Sequence, residues 1–459
     1  MEILIIIIFI VGYLFIALEH SVNINKTASA LLTGVLCWTL FILSGPTEAL
    51  LSSEVYERVK QIMAVEMGMD KFNALTEAAV FREFVLYELN YHLGSISQIL
   101  FFLLGAMTIV ELVDAHQGFR FITDRISTRN PKVLLWIICL VTFFLSAILD
   151  NLTTAIVMVS LIRKLIPDRQ MRMFFAGMII IAANAGGAWT PIGDVTTTML
   201  WIGGQISTVN IMKMLIAPSM MCLLVPLLYL NFTLKGTLGE LKAGHDHKNE
   251  HEKGGRVMLI LGVAALVSVP VFKTFTHLPP YVGMLLGLGI LWVVSERIHP
   301  ELDDATKKHY TVAGALSRID VPSVLFFLGI LLAVGALESM LTLQSFAQFL
   351  SSAFGDNRII ISLIGLLSAI VDNVPLVAAS MGMYSMDVYP QDHLIWEYLA
   401  YCAGTGGSIL IIGSAAGVAV MGMEKIDFIW YLKRISLIAL LGYASGAALY
   451  LAMQSFISH

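Results

Sequence analysis

Ser146-Ala147-Ile148-Leu149-Asp150-Asn151 and Ser368-Ala369-Ile370-Val371-Asp372-Asn373 are almost the same six residues written twice, 222 positions apart. Only Leu149 and Val371 differ. Each copy sets a carboxylate and an amide in the middle of a long apolar run. A charge at membrane depth costs roughly 2.5–3.5 kcal/mol even on lenient insertion scales, so ionisable residues there mark functional sites by default. Two of them, in corresponding places of two halves, predict a repeat-built transporter with a central cation site.

Composition agrees with a membrane setting. Of 459 residues, 57% are hydrophobic and 13% charged, against about 25% charged in soluble domains. The chain reads as an integral membrane protein, and its net charge of −5 resides in loops. No basic stripe or stacking platform is present, which argues against nucleic acid as a partner. Cys37, Cys139, Cys222 and Cys402 stand singly inside apolar segments, so neither a disulfide framework nor a CxxC metal pair is expected. Ile3 to Leu18 lacks the basic start and small-residue cleavage site of a signal peptide and reads as the first membrane helix.

Apolar runs long enough to enter or span a bilayer fall at about 3–18, 27–43, 95–113, 132–166, 171–202, 211–232, 257–272, 279–295, 322–342, 358–388, 394–424 and 428–453. Runs 132–166 and 358–388 exceed one helix, and each carries an Asp-Asn break. They read as re-entrant hairpins. Runs 171–202 and 394–424 contain Gly-rich or polar interruptions and read as broken helices, tolerated where irregular backbone is buried or lines a cavity. The expected fold is therefore all-α, with two inverted-topology repeats. The first repeat is 1–232, with an outer insert at 46–93; the second is 257–459; a cytoplasmic linker, 233–256, joins them. Within the insert, 76–92 reads as an amphipathic helix at the outer interface. With the loop 114–132 placed in the cytoplasm, the outside receives only Arg58, Lys60, Lys71, Arg82, Lys213, Lys273 and Arg358, leaving 21 of the 28 basic residues inside. That asymmetry is the one membrane proteins show.

The chemistry concentrates at four places. Ser146 and Asp150 are one helical turn apart, and Asn151, Thr153 and Thr154 follow directly, crowding oxygen ligands suited to a hard cation such as Na⁺. Asp150 or Asn151 also suits the N-cap of a following helix, though a neutral Ser would cap without burying charge. Gly186, Gly187, Pro191 and Gly193 defeat a continuous helix before Asp194, and the carbonyls so freed can coordinate a cation. In the second half the counterpart is Gly404-Thr405-Gly406-Gly407-Ser408, with Ser414 in register with Asp194. The repeats thus diverge at a charge, and the two half-sites are not equivalent. Glu111, Asp114 and Glu338 read as interface charges at helix ends. The run Gly244 to His251 tempts a metal assignment, but in a charged linker it reads as solvated.

SAILDNLTTA (146–155), SAIVDNVPLV (368–377), NAGGAWTPIGDVTTTMLW (184–201) and GTGGSILIIGSAAG (404–417) resemble the NhaD-type sodium/proton antiporters. These sit in a superfamily with dicarboxylate cotransporters and arsenite permeases, and the resemblance covers about residues 95–430. It implies exchange of cytoplasmic Na⁺ or Li⁺ for external H⁺ in a bacterial inner membrane. It also implies a homodimer with a fixed scaffold and a mobile, elevator-like transport domain, and no cofactor. The implied cation- and proton-binding set is Asp150, Asn151, Thr153, Thr154, Asn184, Thr190, Asp194, Thr196, Thr197, Ser368, Asp372, Asn373, Thr405, Ser408 and Ser414. Na⁺ itself would sit at Asp150, Asn151, Asp194, Asp372 and Asn373.

Other readings fit less well. Dicarboxylate relatives place neutral Ser-Asn-Thr at both hairpin tips, whereas Asp leads here twice and would repel an anion. Sodium-coupled anion transport is the alternative, and arsenite export a weaker third. An intramembrane aspartyl protease would need Gly-x-Gly-Asp, and this chain has Pro191-Ile192-Gly193-Asp194; no enzyme activity is expected.

Overall fold

The computed structural model describes residues 2–17, 19–22, 24–119, 128, 130–233, 254–298, 308–370 and 372–457. The His-rich run 244–251 and the basic residues Arg120, Arg125 and Arg129 lie outside these. The described residues are helical, with no strand among them. In chain order the principal helices are α1 (Glu2–Ala17), α2 (Lys26–Ser44), α3 (Glu54–Met67), α4 (Glu77–Ala115), α5 (Pro131–Leu149) and α6 (Asn151–Leu165). Next come α7 (Arg169–Gly187), α8 (Val195–Ile202), α9 (Thr208–Thr233), α10 (Gly255–Thr276), α11 (Pro280–Ile298) and α12 (Val321–Ser339). The last are α13 (Thr342–Phe354), α14 (Asn357–Leu367), α15 (Asn373–Met383), α16 (Leu394–Gly406), α17 (Ala415–Glu424), α18 (Phe428–Arg434) and α19 (Ser436–Ile457). Eight of them are long and apolar enough to cross a bilayer: α2, α4, α5, α9, α10, α11, α12 and α19. The chain is a multi-pass membrane protein.

Three segmentations differ from the sequence reading. The interfacial helix 76–92 and the span 95–113 are one 39-residue helix, α4. Gly94 and Ser95 do not break it, because no proline interrupts the stretch and Gly94 has open space around its Cα. Residues 342–354 form a helix of their own, α13; its Gln344, Gln348, Ser351 and Ser352 lower the hydropathy that marks membrane helices. The last run, 428–453, is split at Ile435 into α18 and α19.

The chain forms two compact units that do not follow its two halves. One comprises Met1–Leu100, Asp320–Gly355 and Ala378–Val388. There α2 and α12 cross closely, since a Cβ on Gly34 would stand 2.5 Å from the Gly329 carbonyl oxygen. Trp38 Nε1 donates to Leu332 O at 2.8 Å across the same crossing. The other unit comprises Phe101–Ile319, Asp356–Val377 and Tyr389–His459. In it α19 sets Gly442 and Gly446 against the carbonyls of Cys222 and Pro218 of α9, each 2.4 Å from where a Cβ would be. Small residues four apart permit such backbone approach inside membranes.

Within this second unit the contacts of the first half recur in the second. A Cβ on Gly186 would meet Phe143 O at 2.2 Å, and one on Gly406 would meet Gly365 O at 2.0 Å. Ser146 Oγ donates to Ala183 O at 2.6 Å, and Ser368 Oγ to Ala403 O at 3.2 Å. Gly187 packs on Gly193, and Gly407 on Gly413. The repeat is therefore one of atomic contacts as well as of letters.

Two sets of contacts tie the ends of elements from the two halves together. In one, Glu424 is gripped by Arg163 Nε at 2.6 Å and Arg172 Nε at 2.7 Å, while Arg169 donates to Lys425 O. In the other, Gln391 Nε2 donates to Gly204 O, Ser207 N to Asp392 Oδ1, and Lys273 Nζ to Trp201 O.

Candidate ion-binding site

The break between α5 and α6 is a single residue. Asp150 closes α5, opens α6 and holds φ 120° and ψ 161°. Side-chain-bearing residues rarely adopt that region; the strain is on the order of 1–3 kcal/mol and characteristically sits at functional sites. Its carboxylate accepts from Thr153 N at 2.8 Å through Oδ1 and from Thr153 Oγ1 at 2.7 Å through Oδ2. Asp150 is thus the cap as well as a candidate ligand, while Asn151 is the first helical residue. The Thr154 hydroxyl, one residue beyond, is fully buried and has no hydrogen-bond partner.

Asp194 occupies the matching place ahead of α8, in extended backbone. Oδ1 accepts from Thr196 N and Thr196 Oγ1, both at 2.8 Å. Oδ2 is left facing inward, where Asn151 Nδ2 donates to it at 2.6 Å. The same amide donates to Asn184 Oδ1 at 3.0 Å. Asn184 then donates through Nδ2 to Ser408 Oγ at 2.9 Å and Ser414 Oγ at 3.0 Å. Ser414 caps α17 by accepting from Gly417 N, and Tyr431 OH secures the Ser408 carbonyl at 2.8 Å. One continuous network, Asp194–Asn151–Asn184–Ser408/Ser414, thereby joins the broken helices of both halves. All five side chains are at most 6% exposed.

The remaining candidates are distributed around this network. Thr190 donates to Ala147 O, Thr197 to Asp194 O, Thr405 to Tyr401 O and Ser368 to Gly365 O. These hydroxyls hold backbone at the breaks, and each retains lone pairs. Asp372 is half-buried at the second tip, where its Oδ1 accepts from Val374 N at 3.3 Å; Asn373 begins α15, buried. Asp150 and Asp372 both act on Asp194 electrostatically. Among the described residues no basic side chain hydrogen-bonds with Asp150 or Asp194, and no three His, Cys, Asp or Glu side chains form a metal centre. What the centre offers a cation is mixed: carboxylate, amide and hydroxyl oxygen.

Three buried carboxylates escaped the sequence reading. Glu397, on α16, accepts from Asn210, from Tyr450 OH at 2.7 Å and from Gln454 Nε2 at 3.1 Å. Glu424 ties α17 to α6 and α7 through the two arginines. In the other unit, Glu88 accepts from Ser339 Oγ at 2.9 Å beside His92 and Glu338, lining a cavity of about 320 Å³. An ionisable residue inside an apolar run was the available signal for Glu397 and Glu424; Glu88 lies in the charged stretch 76–92, where that rule gives no signal. Glu338 is accordingly a cavity residue, whereas Asp114 is exposed and Glu111 pairs with Arg318 at 2.5 Å.

The profile of the citrate transporter family matches residues 5–404. Sodium/proton antiporter 1 of Arabidopsis thaliana is 49% identical over 450 residues, which span 98% of this chain and 72% of that protein. Sodium/proton antiporter 2 of the same plant is 44% identical, over 98% and 99% of the two chains. The Na(+)/H(+) antiporter NhaD of Vibrio cholerae is 30% identical, over 98% and 91%.

Proposed function

Because this chain belongs to the citrate transporter family and, within it, to the NhaD-type sodium/proton antiporters, we propose that it exchanges Na⁺ for H⁺ by competition at Asp150 and Asp194. The observation that carries this reading is the buried Oδ2 of Asp194, which accepts from the Asn151 amide and, among the described residues, from no basic side chain. A carboxylate buried without a positive partner is strongly favoured to take one up, as a proton or as a metal ion. Na⁺ entering between Asp194, Asn151 and Asn184 displaces the Asn151 amide hydrogen bond, turns amide oxygens inward and recruits the Thr154 hydroxyl. A proton on the carboxylate cancels the attraction and releases the ion. The affinity of each for the protein falls by the factor by which the other's falls, so exchange follows from linkage alone. Li⁺, which suits the same oxygens, is a second substrate.

The family profile's name raises uptake of a carboxylate anion as a second reading. The charge at the centre argues against it. Asp150 and Asp372 both bear electrostatically on Asp194, and a polyanion there would meet repulsion, with no Arg or Lys among the described residues hydrogen-bonded to Asp150 or Asp194.

The two helix pairs broken at Asp150 and at 368–372 act as re-entrant hairpins in oppositely oriented repeats. The grouping of loops 163–172 with 424–425, and of 201–207 with 391–392, supports this arrangement. The hairpins and broken helices move as one body during alternating access, in a homodimer embedded in a cell's boundary membrane, the inner membrane in a bacterium. In everted vesicles holding an inside-acid pH gradient, Na⁺ and Li⁺ are expected to dissipate the gradient, and citrate is not. Dissipation by citrate with no response to Na⁺ would reverse the assignment.

A further inference from the structure

Where α7 begins, α9 ends and α18 passes into α19, the structure holds a cavity of about 420 Å³. Its walls include Lys433, Arg434, Phe174, Tyr229, Thr233 and Asp168. Lys433 and Arg434 close α18, the helix end that favours positive charge. Neighbouring basic residues are already engaged: Arg163 and Arg172 with Glu424, and Arg169 with Lys425 O. Among the described residues Lys433 and Arg434 have no such acidic partner. Asp168 spends one oxygen on Met171 N at 2.7 Å as the cap of α7, and the cavity keeps a net positive charge.

The surroundings say what kind of molecule fits. Both α9 and α19 are membrane-spanning by length and composition, so their adjoining ends lie at headgroup level. Tyr229 and Phe232, in the last turns of α9, are 51% and 77% exposed. That is the aromatic and apolar fringe found where bilayer meets water. A small soluble anion would use the two basic groups and leave the fringe unused.

We propose that this cavity is a binding site for an anionic phospholipid, its phosphate between Lys433 and Arg434 and its acyl chains along α9. Basic pockets between membrane helices recognise lipid headgroups in this manner. The site lies at the far end of α7 from Asn184 and is separate from the ion centre.

The test is native mass spectrometry of the full-length protein from detergent micelles containing equal phosphatidylglycerol and phosphatidylcholine of matched chains. Wild type is expected to retain phosphatidylglycerol preferentially. Lys433→Ala with Arg434→Ala should weaken that retention ~30-fold, about fivefold for each positive charge removed. Arg169→Ala, outside the cavity, should leave it intact. Lys433→Gln alone, expected to cost about fivefold, keeps the test decisive if the double variant fails to fold. Equal retention of the two lipids by wild type, or phosphatidylglycerol retained undiminished by a folded Lys433→Gln variant, would overturn the proposal. So would binding of sn-glycerol 3-phosphate without any preference for the charged lipid.

Discussion

Asp150→Asn is expected to abolish Na⁺-driven proton movement in proteoliposomes while leaving the protein's melting temperature nearly unchanged. The two outcomes separate because Asp150 does two jobs. As a cap, Asn is about as good as Asp, and its Oδ1 can still accept from Thr153 N. The Thr153 hydroxyl, now donating to the carboxylate, only has to rotate and accept from the new amide. Asn is also, with Asp, among the residues most tolerant of positive φ. What disappears is the charge. A unit pair at 4 Å is worth about 4 kcal/mol at an effective dielectric constant of 20, roughly a thousandfold in binding. Some of that is offset because a neutral amide oxygen remains as a ligand, so Na⁺ affinity should still fall at least ~100-fold. A folded variant with substantial exchange would show that Asp150 is a cap and nothing more.

Asp194→Asn should be equally inactive, yet less stable. Here the substituted side chain cannot be accommodated by a rotating hydroxyl. Oδ2 of Asp194 receives the amide of Asn151, and an amide placed there brings two NH₂ groups face to face. Turning Asn151 over would relieve that clash but withdraw its hydrogen bond from Asn184 Oδ1. Either way a buried donor or acceptor is orphaned, at about 1–3 kcal/mol. The expected signature is loss of exchange together with a lowered melting temperature in detergent. Equal melting temperatures for the Asp150 and Asp194 variants would mean that the network seen here does not hold the two halves together. Asp372→Asn should do less damage than either, since Asp372 caps α15 more loosely and does not enter the Asn184 chain.

What the sequence made legible follows a physical pattern. The breaks at Asp150 and at 188–194 were visible because charge, glycine and proline conflict locally with an apolar helix. The recurrence 222 residues later made the conflict look deliberate. The lone-pair geometry was not visible. Nothing in the spacing says that Asn184 turns its amide to Ser408 and Ser414, because those residues meet only through packing across more than two hundred positions. Resemblance brought these three into the candidate set, and the hydrogen bonds give them a place. Helix limits went astray where local chemistry was ambiguous. The stretches 76–92 and 95–113 read as separate elements but are one helix, α4, and α13 is too polar on one face for a hydropathy window. Glu397 and Glu424 could have been found by the rule that exposed Asp150, had it been applied to every ionisable residue within an apolar run.

The most direct test is potentiometric. Purified protein in weakly buffered detergent is titrated with NaCl from neutral to alkaline pH, with choline chloride as the blank, and Na⁺ binding is followed in parallel by calorimetry. Competition for the same oxygens requires each bound Na⁺ to expel protons at pH values where the empty site holds them, with both signals lost in the Asp150 and Asp194 variants. Sodium binding that releases no protons anywhere in that range would contradict the account.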